Sequence, residues 1–149
     1  MRRAKELGVS ERLHLHPYVP LAELPAYLHA CDIFIRPSRS EGMGNSLIEA
    51  MAAGLPVIAT QEGGISDFLF DAKRNPGKET TGWVVDKDSP EQIAQAVADI
   101  LADTEQKERV IANAKKLVTE NYDWNPIAQR MHALFDRVIA LRPLDAPGR

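Results

Sequence analysis

Apolar residues occur along this chain in short runs that alternate with longer amphipathic stretches. The runs predict strands at about 13–16, 33–35, 57–59 and 83–85. The amphipathic stretches predict helices at about 2–8, 21–31, 45–53, 65–69, 89–102, 105–121 and 125–141. Strands that alternate with helices are typical of an α/β fold, and we expect a Rossmann-like parallel sheet flanked by helices.

The segment 33–64 is the clearest unit of this pattern. A buried strand at Ile33–Ile35 leads through the motif loop, residues 37–44, into a helix over 45–53. A second buried strand follows at Val57–Ala59. A crossover of this length joins parallel strands, so the segment is predicted to be a βαβ unit. The helix face expected to turn inward consists of Leu47, Ile48, Met51 and Ala52.

The motif loop has the features of a phosphate seat. Gly42 and Gly44 carry no Cβ, so a ligand can approach the backbone closely. The loop leads into a helix start, where backbone N–H groups have no intrahelical acceptor and the helix dipole is positive. The N–H groups near Gly44, Asn45 and Ser46 are therefore predicted to hold phosphate.

Two carboxylates flank this seat, Glu41 at the loop entrance and Glu49 in the helix. A carboxylate repels a phosphate, so neither is expected to bind the phosphate directly. Each fits a hydroxyl-rich group attached to the phosphates, from which it would accept hydrogen bonds. A diphosphate with such a group at each end is a sugar nucleotide, and this is the predicted ligand.

Beyond these residues, the stretch PSRSEGMGNSLIEAMAAGLPVIATQEGGISDFL resembles the retaining glycosyltransferases of the GT-B fold, group 1 (family 4). Glu41 and Glu49, with seven residues between them, match the E-x7-E motif of that family. Upstream, LAELPAYLHACD is similar to the family's helix before the motif strand, and downstream TGWVVDKDSPEQIAQAV is similar to its last strand and following helix. The resemblance extends over about 7–141.

The resemblance implies a role for each part of the site. Glu41 and Glu49 are the expected catalytic residues: Glu41 would contact the donor sugar and steady the charge at its anomeric carbon, and Glu49 would accept hydrogen bonds from the ribose. The loop after the strand at 13–16 would border the base. Neither a metal ion nor another cofactor is expected, because the helix N-terminus and basic groups replace the metal. The residues expected to bind the donor are Gly42, Met43, Gly44, Asn45, Ser46, Tyr18, Val19 and Arg36.

Two arginines, Arg36 and Arg39, stand beside the motif loop. A guanidinium at this place can pair with phosphate or with Glu41, since its fork of N–H donors matches both anions. A surface ion pair without a role in binding is an equal alternative at this stage.

Enzymes of the GT-B fold have two Rossmann-like domains, the first for the acceptor and the second for the donor. This chain resembles an incomplete second, C-terminal domain. It is predicted to be a single domain over 1–149, with a core at about 7–103, C-terminal helices at about 105–141 and a tail at 142–149. The expected partners are a nucleotide-sugar and either a missing N-terminal acceptor domain or further copies of the chain. The strand at 13–16 would pair with the motif strand, leave a gap or be completed by another chain.

A second function stays open on the same residues. The chain can be a non-catalytic nucleotide-sugar-binding or partner-dependent module, such as one half of a split enzyme. A dinucleotide-dependent oxidoreductase is less consistent with the sequence. The motif loop lacks the third glycine of that fingerprint, and no acid follows at about 20 residues at the end of a second strand.

Several polar segments are interpreted as structural. Residues 70–80, with a Pro-Gly pair, predict an exposed loop. The triplet Asp86–Asp88 predicts a turn, and Ser89–Gln92 predicts a capping box with Pro90 at the first helical position.

Composition and charge exclude several other classes. The length of 149 residues is that of one domain. The fractions of apolar residues (44%) and charged residues (26%) are typical of a soluble globular protein. The net charge of −3 gives no indication of nucleic-acid binding. Cys31 is the single cysteine, which rules out a disulfide framework, and it is expected to be buried at a helix end. No apolar run is long enough to cross a bilayer, so a cytoplasmic protein is predicted, membrane-peripheral at most in the full enzyme.

Overall fold

A three-stranded parallel sheet lies at the centre of the molecule, in a computed structural model that describes residues 2–141. The strands are β1 (Phe34–Arg36), β2 (Val57–Ala59) and β3 (Trp83–Val84), in the order β1-β2-β3. Ile35 lies opposite Ile58 in the first pair, and Ala59 lies opposite Val84 in the second. The parallel direction of all three strands confirms the predicted α/β class.

Helices form the rest of the regular structure in this range. They are α1 (Arg2–Glu6), α2 (Leu24–His29), α3 (Asn45–Ala52), α4 (Pro90–Ala102), α5 (Thr104–Tyr122) and α6 (Trp124–Ala140), with 3-10 turns at Ser10–Arg12 and Gly63–Asp67. Four of them, α3, α4, α5 and α6, begin and end within a residue of their predicted bounds. The predicted tail, 142–149, lies outside the described residues. Between residues 2 and 141, no helix combines the length and the apolar composition that crossing a membrane requires.

Two apolar clusters cover the two faces of the sheet. Successive side chains of a strand point to opposite faces, so Val57 and Ala59 of β2 join one cluster while Ile58 joins the other. The first cluster is closed by α3 and the second half of α5. The second is closed by α4 and by Val110 near the start of α5. Because β2 is buried on both sides, its prediction as a fully buried strand is confirmed.

The prediction of a strand at 13–16 is wrong. Those residues form no ladder, and Leu13 and Leu15 are 41% and 62% exposed. The motif strand β1 is also less buried than expected, since Ile35 is 43% exposed. Both differences have one physical cause: within residues 2–141, β1 pairs with β2 alone, and its other edge has no neighbouring strand. An apolar run becomes a buried strand when a partner supplies hydrogen bonds and cover.

Two positions predicted to be buried on helices are exposed. Ala52 lies on the outer side of α3, where Ala50 takes the inward place beside Leu47 and Met51. Cys31 is exposed because α2 ends at His29, two residues before it, so the apolar face of the helix does not extend to the thiol. The helix predicted over 21–31 is shortened at both ends.

The start of α4 differs from the predicted capping box. Ser89 makes no side-chain cap, and Gln92 turns back to Asp86 instead. The Gln92 Oε1 accepts from the Asp86 backbone N–H at 2.8 Å, and its Nε2 donates to the Asp86 carboxylate at 2.8 Å. The first turn of α4 is therefore fastened to the end of β3 rather than to its own cap residue.

The loop 70–80 is mostly exposed, as predicted, and it also covers the outer edge of β3. The Asp71 carboxylate accepts from the Val84 backbone N–H at 3.4 Å. The Gln61 side chain donates to Asn75 Oδ1 at 2.7 Å, which joins the loop to the residues after β2. Strand edges left open invite pairing with other chains, so these contacts protect the edge of the sheet.

Candidate functional site

The loops that follow the three strands meet at the carboxyl-end edge of the sheet. The buried Thr60 hydroxyl donates to the Ser38 carbonyl at 2.6 Å, which joins the ends of β1 and β2. Arg39 pairs with Asp88 at 2.7 Å across the same edge. Parallel sheets bind their ligands at this edge, and the predicted phosphate seat lies on it.

A second ion pair, between Lys87 and Glu62 at 2.8 Å, links the loops after β2 and β3. Together with the pair that Arg39 makes, it connects these loops at the surface. Both pairs are solvent-accessible, so each contributes little to stability. For Arg39, the structure selects the surface ion pair among the alternatives that the sequence left open.

The shape of the motif loop is set by the two glycines that follow β2. The Gly64 N–H donates to the Gly42 carbonyl at 2.6 Å. A Cβ on Gly63 would lie 1.9 Å from the Glu41 carbonyl oxygen, and the residue has φ of 55°. Close backbone approach and a left-handed conformation thus both require glycine at Gly63. The sequence predicted only the helix that follows this pair, at 65–69, and not its contact with the motif loop, although a Gly-Gly pair after a buried strand was the signal available.

The start of α3 offers backbone N–H groups to the solvent side of this edge. Gly44 takes φ of 83° before the helix, and its carbonyl accepts from the Leu47 N–H at 2.9 Å. The N–H groups of Asn45 and Ser46 precede the first intrahelical bond. In the part of the chain that the structure describes, no side chain caps this helix start. An uncapped helix start is what the predicted anion seat requires, and the seat itself stays a prediction.

Gly42 differs from the other glycines of the site. Its backbone has no left-handed φ, and a Cβ placed on it would point into open space. The protein's own packing therefore does not require glycine at this position. A side chain there would instead occupy the open space outside the loop.

Glu41 is held inside the site by several donors, and its side chain is 16% exposed. Its Oε2 pairs with an Arg36 terminal nitrogen at 2.7 Å and accepts from the Ser38 hydroxyl at 3.3 Å. Its Oε1 accepts from the Gly42 backbone N–H at 3.2 Å. Both carboxylate oxygens are thus engaged by the protein itself.

Arg36 touches both sides of the predicted site. Besides Glu41, its guanidinium donates to the Ser46 hydroxyl at the start of α3 and, through Nε, to the Ser38 hydroxyl at 3.3 Å. The sequence left open whether Arg36 would face phosphate or Glu41, and the structure places it between Glu41 and the helix start where phosphate is predicted.

Most of the remaining predicted residues are more exposed than Glu41. Glu49 is exposed on α3, and Met43 is 47% exposed on the motif loop. Tyr18 is 79% exposed and Val19 is half-buried, and among residues 2–141 no hydrogen bond or ion pair joins either of them to the motif loop. The structure therefore brings together Arg36 and the motif residues, whereas it leaves the predicted base contacts on a separate segment.

The triplet Asp86–Asp88 is a turn, as predicted, with Asp88 at φ of 56°. The Gln92 side chain, and then Arg74 at 2.9 Å, hold the pKa of Asp86 below its usual value by stabilising the carboxylate. Among the described residues, no group of three or more His, Cys, Asp or Glu side chains is placed to hold a metal ion.

A cavity of about 370 Å³ opens elsewhere, between the loop 71–74, β3 and α4. Charged side chains line its rim and Trp83 lines its wall. None of the predicted site residues borders it, so the chemistry discussed above belongs to the carboxyl-end edge of the sheet and not to this cavity.

Both the sequence and the fold of this chain are similar to those of known proteins. Residues 1–117 match the family Glycosyl transferases group 1. A GDP-mannose-dependent alpha-(1-6)-phosphatidylinositol monomannoside mannosyltransferase from Mycolicibacterium smegmatis is 32% identical over 140 residues, which is 89% of this chain and 35% of that protein. The chain thus spans about a third of the length of the curated relatives it matches.

Two solved structures have the same fold. Sucrose-phosphate synthase from Thermosynechococcus elongatus superimposes with a TM-score of 0.81 and 28% identity, over 95% of this chain and 34% of that one. The C-terminal domain of a glycosyl transferase group 1 family protein from Francisella tularensis superimposes with a TM-score of 0.70 and 27% identity, over 83% and 60% of the two chains.

Proposed function

The chain belongs to the group 1 glycosyl transferases with the GT-B fold, and on this premise we propose that it is the donor-binding part of a retaining glycosyltransferase that uses a nucleoside diphosphate sugar. The observation that carries the proposal is the meeting of the motif loop, the start of α3 and Glu41 at the carboxyl-end edge of the sheet. The relative from Mycolicibacterium smegmatis is named as GDP-mannose-dependent, which supports a nucleoside diphosphate sugar as the donor.

The diphosphate would bind at the N-terminus of α3. The N–H groups of Asn45 and Ser46, which have no intrahelical acceptor, would donate to an anion there, and the open space beside Gly42 would leave room for it. These donors are fixed before the reaction, since Gly63 and Gly64 hold the motif loop in place. Fixed donors stabilise the charge that the diphosphate gains when its bond to the sugar breaks.

The sugar would lie beside Glu41. When the bond between the anomeric carbon and the diphosphate oxygen breaks, the electron pair leaves with the diphosphate and positive charge develops on the sugar. A nearby carboxylate steadies that charge and orients the sugar hydroxyls by accepting their hydrogen bonds. The acceptor oxygen then bonds to the anomeric carbon on the same face of the sugar, and its proton passes to the oxygen of the departing diphosphate. Glu49, one helical turn into α3, would accept hydrogen bonds from the ribose.

The test is calorimetric titration of the purified chain with UDP, GDP and ADP. We expect one of them to bind, and Glu49→Ala to weaken that binding by about 1–3 kcal/mol because a charged hydrogen bond is lost. Glu108→Ala is the matched control, since Glu108 is an exposed glutamate on α5, outside the site. Equal affinities for the wild type and Glu49→Ala would contradict the proposed role of Glu49.

A second candidate is a non-catalytic module that needs a partner to complete its site. The exposed apolar face of α6 favours this candidate, because Leu134 and Phe135 are 54% and 58% exposed. If none of the three nucleotides binds the chain by itself, the donor site is not functional alone and this second candidate replaces the first.

A further inference from the structure

We infer that Arg36 couples donor binding to the release of Glu41: its guanidinium neutralises Glu41 in the free protein and passes to the diphosphate when the donor binds. This inference rests on the proposed donor site and adds a mechanism to it. Its basis is the position of one side chain that contacts Glu41, Ser38 and Ser46 together.

The guanidinium lies next to the seat of the diphosphate. Ser46 stands in the first turn of α3, so its hydroxyl and its backbone N–H belong to the same helix start. An anion bound by that N–H would lie within reach of the nitrogen that now donates to the Ser46 hydroxyl. A guanidinium also carries more N–H donors than its contacts with Glu41, Ser38 and Ser46 use, so it can bind phosphate before it leaves Glu41.

The exposed fractions of the two side chains indicate which of them an incoming diphosphate contacts first. The Arg36 side chain is 41% exposed, whereas that of Glu41 is 16% exposed. An incoming diphosphate therefore meets the cation first. A diphosphate carries more charge than one carboxylate and offers several oxygens in a geometry that matches the guanidinium fork, so it competes well for Arg36.

The exchange would leave Glu41 available for the sugar. In the free protein its Oε2 accepts from both Arg36 and the Ser38 hydroxyl, which together use the two lone pairs of that oxygen and leave none for a ligand. Once Arg36 pairs with phosphate, the carboxylate keeps the Gly42 N–H at Oε1 and can turn Oε2 toward sugar hydroxyls. Arg36 between the two anions also reduces the repulsion between Glu41 and the diphosphate.

Other cations at this edge are engaged elsewhere. Arg39 pairs with Asp88, and Lys87 pairs with Glu62. Arg36 is the basic side chain that contacts both the motif loop and α3 within residues 2–141. This position distinguishes it from Arg39, which makes Arg39→Ala a matched control for the loss of a nearby positive charge.

The test is a double-mutant cycle on the affinity for the nucleoside diphosphate that the chain binds. Arg36→Ala is expected to weaken that affinity about ten- to a hundredfold and to leave affinity for the nucleoside alone unchanged. Arg36→Lys, which keeps the charge and loses the fork, is expected to restore part of it. Arg39→Ala is expected to bind as the wild type does.

The second mutation of the cycle removes the charge of Glu41, which competes with the diphosphate for Arg36. Glu41→Gln frees Arg36 and is expected to raise affinity for the nucleoside diphosphate about three- to fivefold. In the Arg36→Ala background the same change is expected to give no gain. A merely structural role for Arg36 would not produce this difference. If thermal unfolding shows that Arg36→Ala is unstable, the affinity of Glu41→Gln for the nucleoside diphosphate still tests the inference.

The results separate the inference from the proposed function. Binding that weakens with Glu49→Ala but is unaffected by Arg36→Ala, or unimproved by Glu41→Gln, would overturn the coupling and leave the donor site intact. Absence of nucleotide binding in the wild-type chain would overturn both. Two results together support the coupling. Arg36→Ala weakens the affinity for the nucleoside diphosphate, and Glu41→Gln raises that affinity only when Arg36 is present.

Discussion

The βαβ unit around the motif loop and the last helix, α6, use their apolar residues in different ways. In the unit, Leu47 and Met51 on α3 are fully buried against the sheet and α5. On α6, Leu134 and Phe135 are more than half exposed, and no residue of the helix is buried. Both helices have amphipathic spacing. Periodicity thus predicts that a helix forms, whereas burial depends on whether the same chain supplies a surface to cover it.

The difference indicates which part of the molecule is complete in itself. The motif loop, α3 and the following turn contact one another and the sheet through short hydrogen bonds and close backbone packing. We therefore expect substitutions in this unit to cost stability, and substitutions on α6 to cost little in the chain alone.

The largest expected contrast is between two leucines on these two helices. Leu47→Ala removes a fully buried side chain and should lower the free energy of unfolding by about 3–5 kcal/mol. Leu134→Ala removes one that is 54% exposed and should lower it by less than about 0.5 kcal/mol. Urea unfolding of both variants measures the difference. A loss of more than about 2 kcal/mol in Leu134→Ala would show that α6 is packed in solution, for example against a second copy.

The next contrast compares two glycines with left-handed backbones. Gly63→Ala should cost about 2–4 kcal/mol, because the new methyl meets the Glu41 carbonyl in addition to the strained φ. Gly77 has φ of 85° and open space around it, so Gly77→Ala should cost about 1 kcal/mol for the backbone alone. Equal losses in urea unfolding would mean that the motif loop moves aside easily, contrary to the close packing described here.

The smallest expected effect concerns Asp86. Its carboxylate is stabilised by Gln92 first and by Arg74 next, so its pKa in the folded protein lies below the usual 3.8. A depressed carboxyl pKa contributes stability above pH 3.8, and that contribution is lost as the pH falls through the lower folded value. Carboxyl chemical shifts followed by NMR should give a midpoint below 3.8 in the wild type.

Removing the Gln92 side chain, the main cause of the lowered pKa of Asp86, should reverse that shift. Gln92→Ala is expected to raise the pKa of Asp86 toward its usual value, since the hydrogen bond that stabilises the carboxylate is lost. Gln95→Ala is the control, because Gln95 bonds to Asp99 on the same helix. A wild-type midpoint at or above 3.8 would contradict the assignment.

Much of the fold was predictable because its signals are local. The buried run Val57–Ala59 and the glycine-flanked helix at 45–53 predicted the βαβ unit, and the family resemblance is confirmed by the match over 1–117. The strand predicted at 13–16 and the burial of Ile35 failed because strand formation depends on a partner, which a local pattern does not contain.

The candidate site was predictable in its residue types but not in their pairing. The sequence predicted the seat at Gly44–Ser46 and placed Arg36 beside it, yet it left the partner of Arg36 open. That partner depends on the turn that brings Glu41 back beside Arg36, and this turn is fixed in part by the contact of Gly63 with the motif loop. Contacts between residues distant in sequence decide such details, and single-residue patterns do not record them.

One further consequence follows from the path of α5. Along one stripe of this helix, Val110 packs in the cluster on one face of the sheet, while Ala114 and Val118 pack in the cluster on the other. Its 19 residues extend over about 28 Å as a single rigid rod. Neither apolar cluster can open without loosening the helix that closes the other. The two faces of the sheet are therefore expected to melt together, as one cooperative unit of folding.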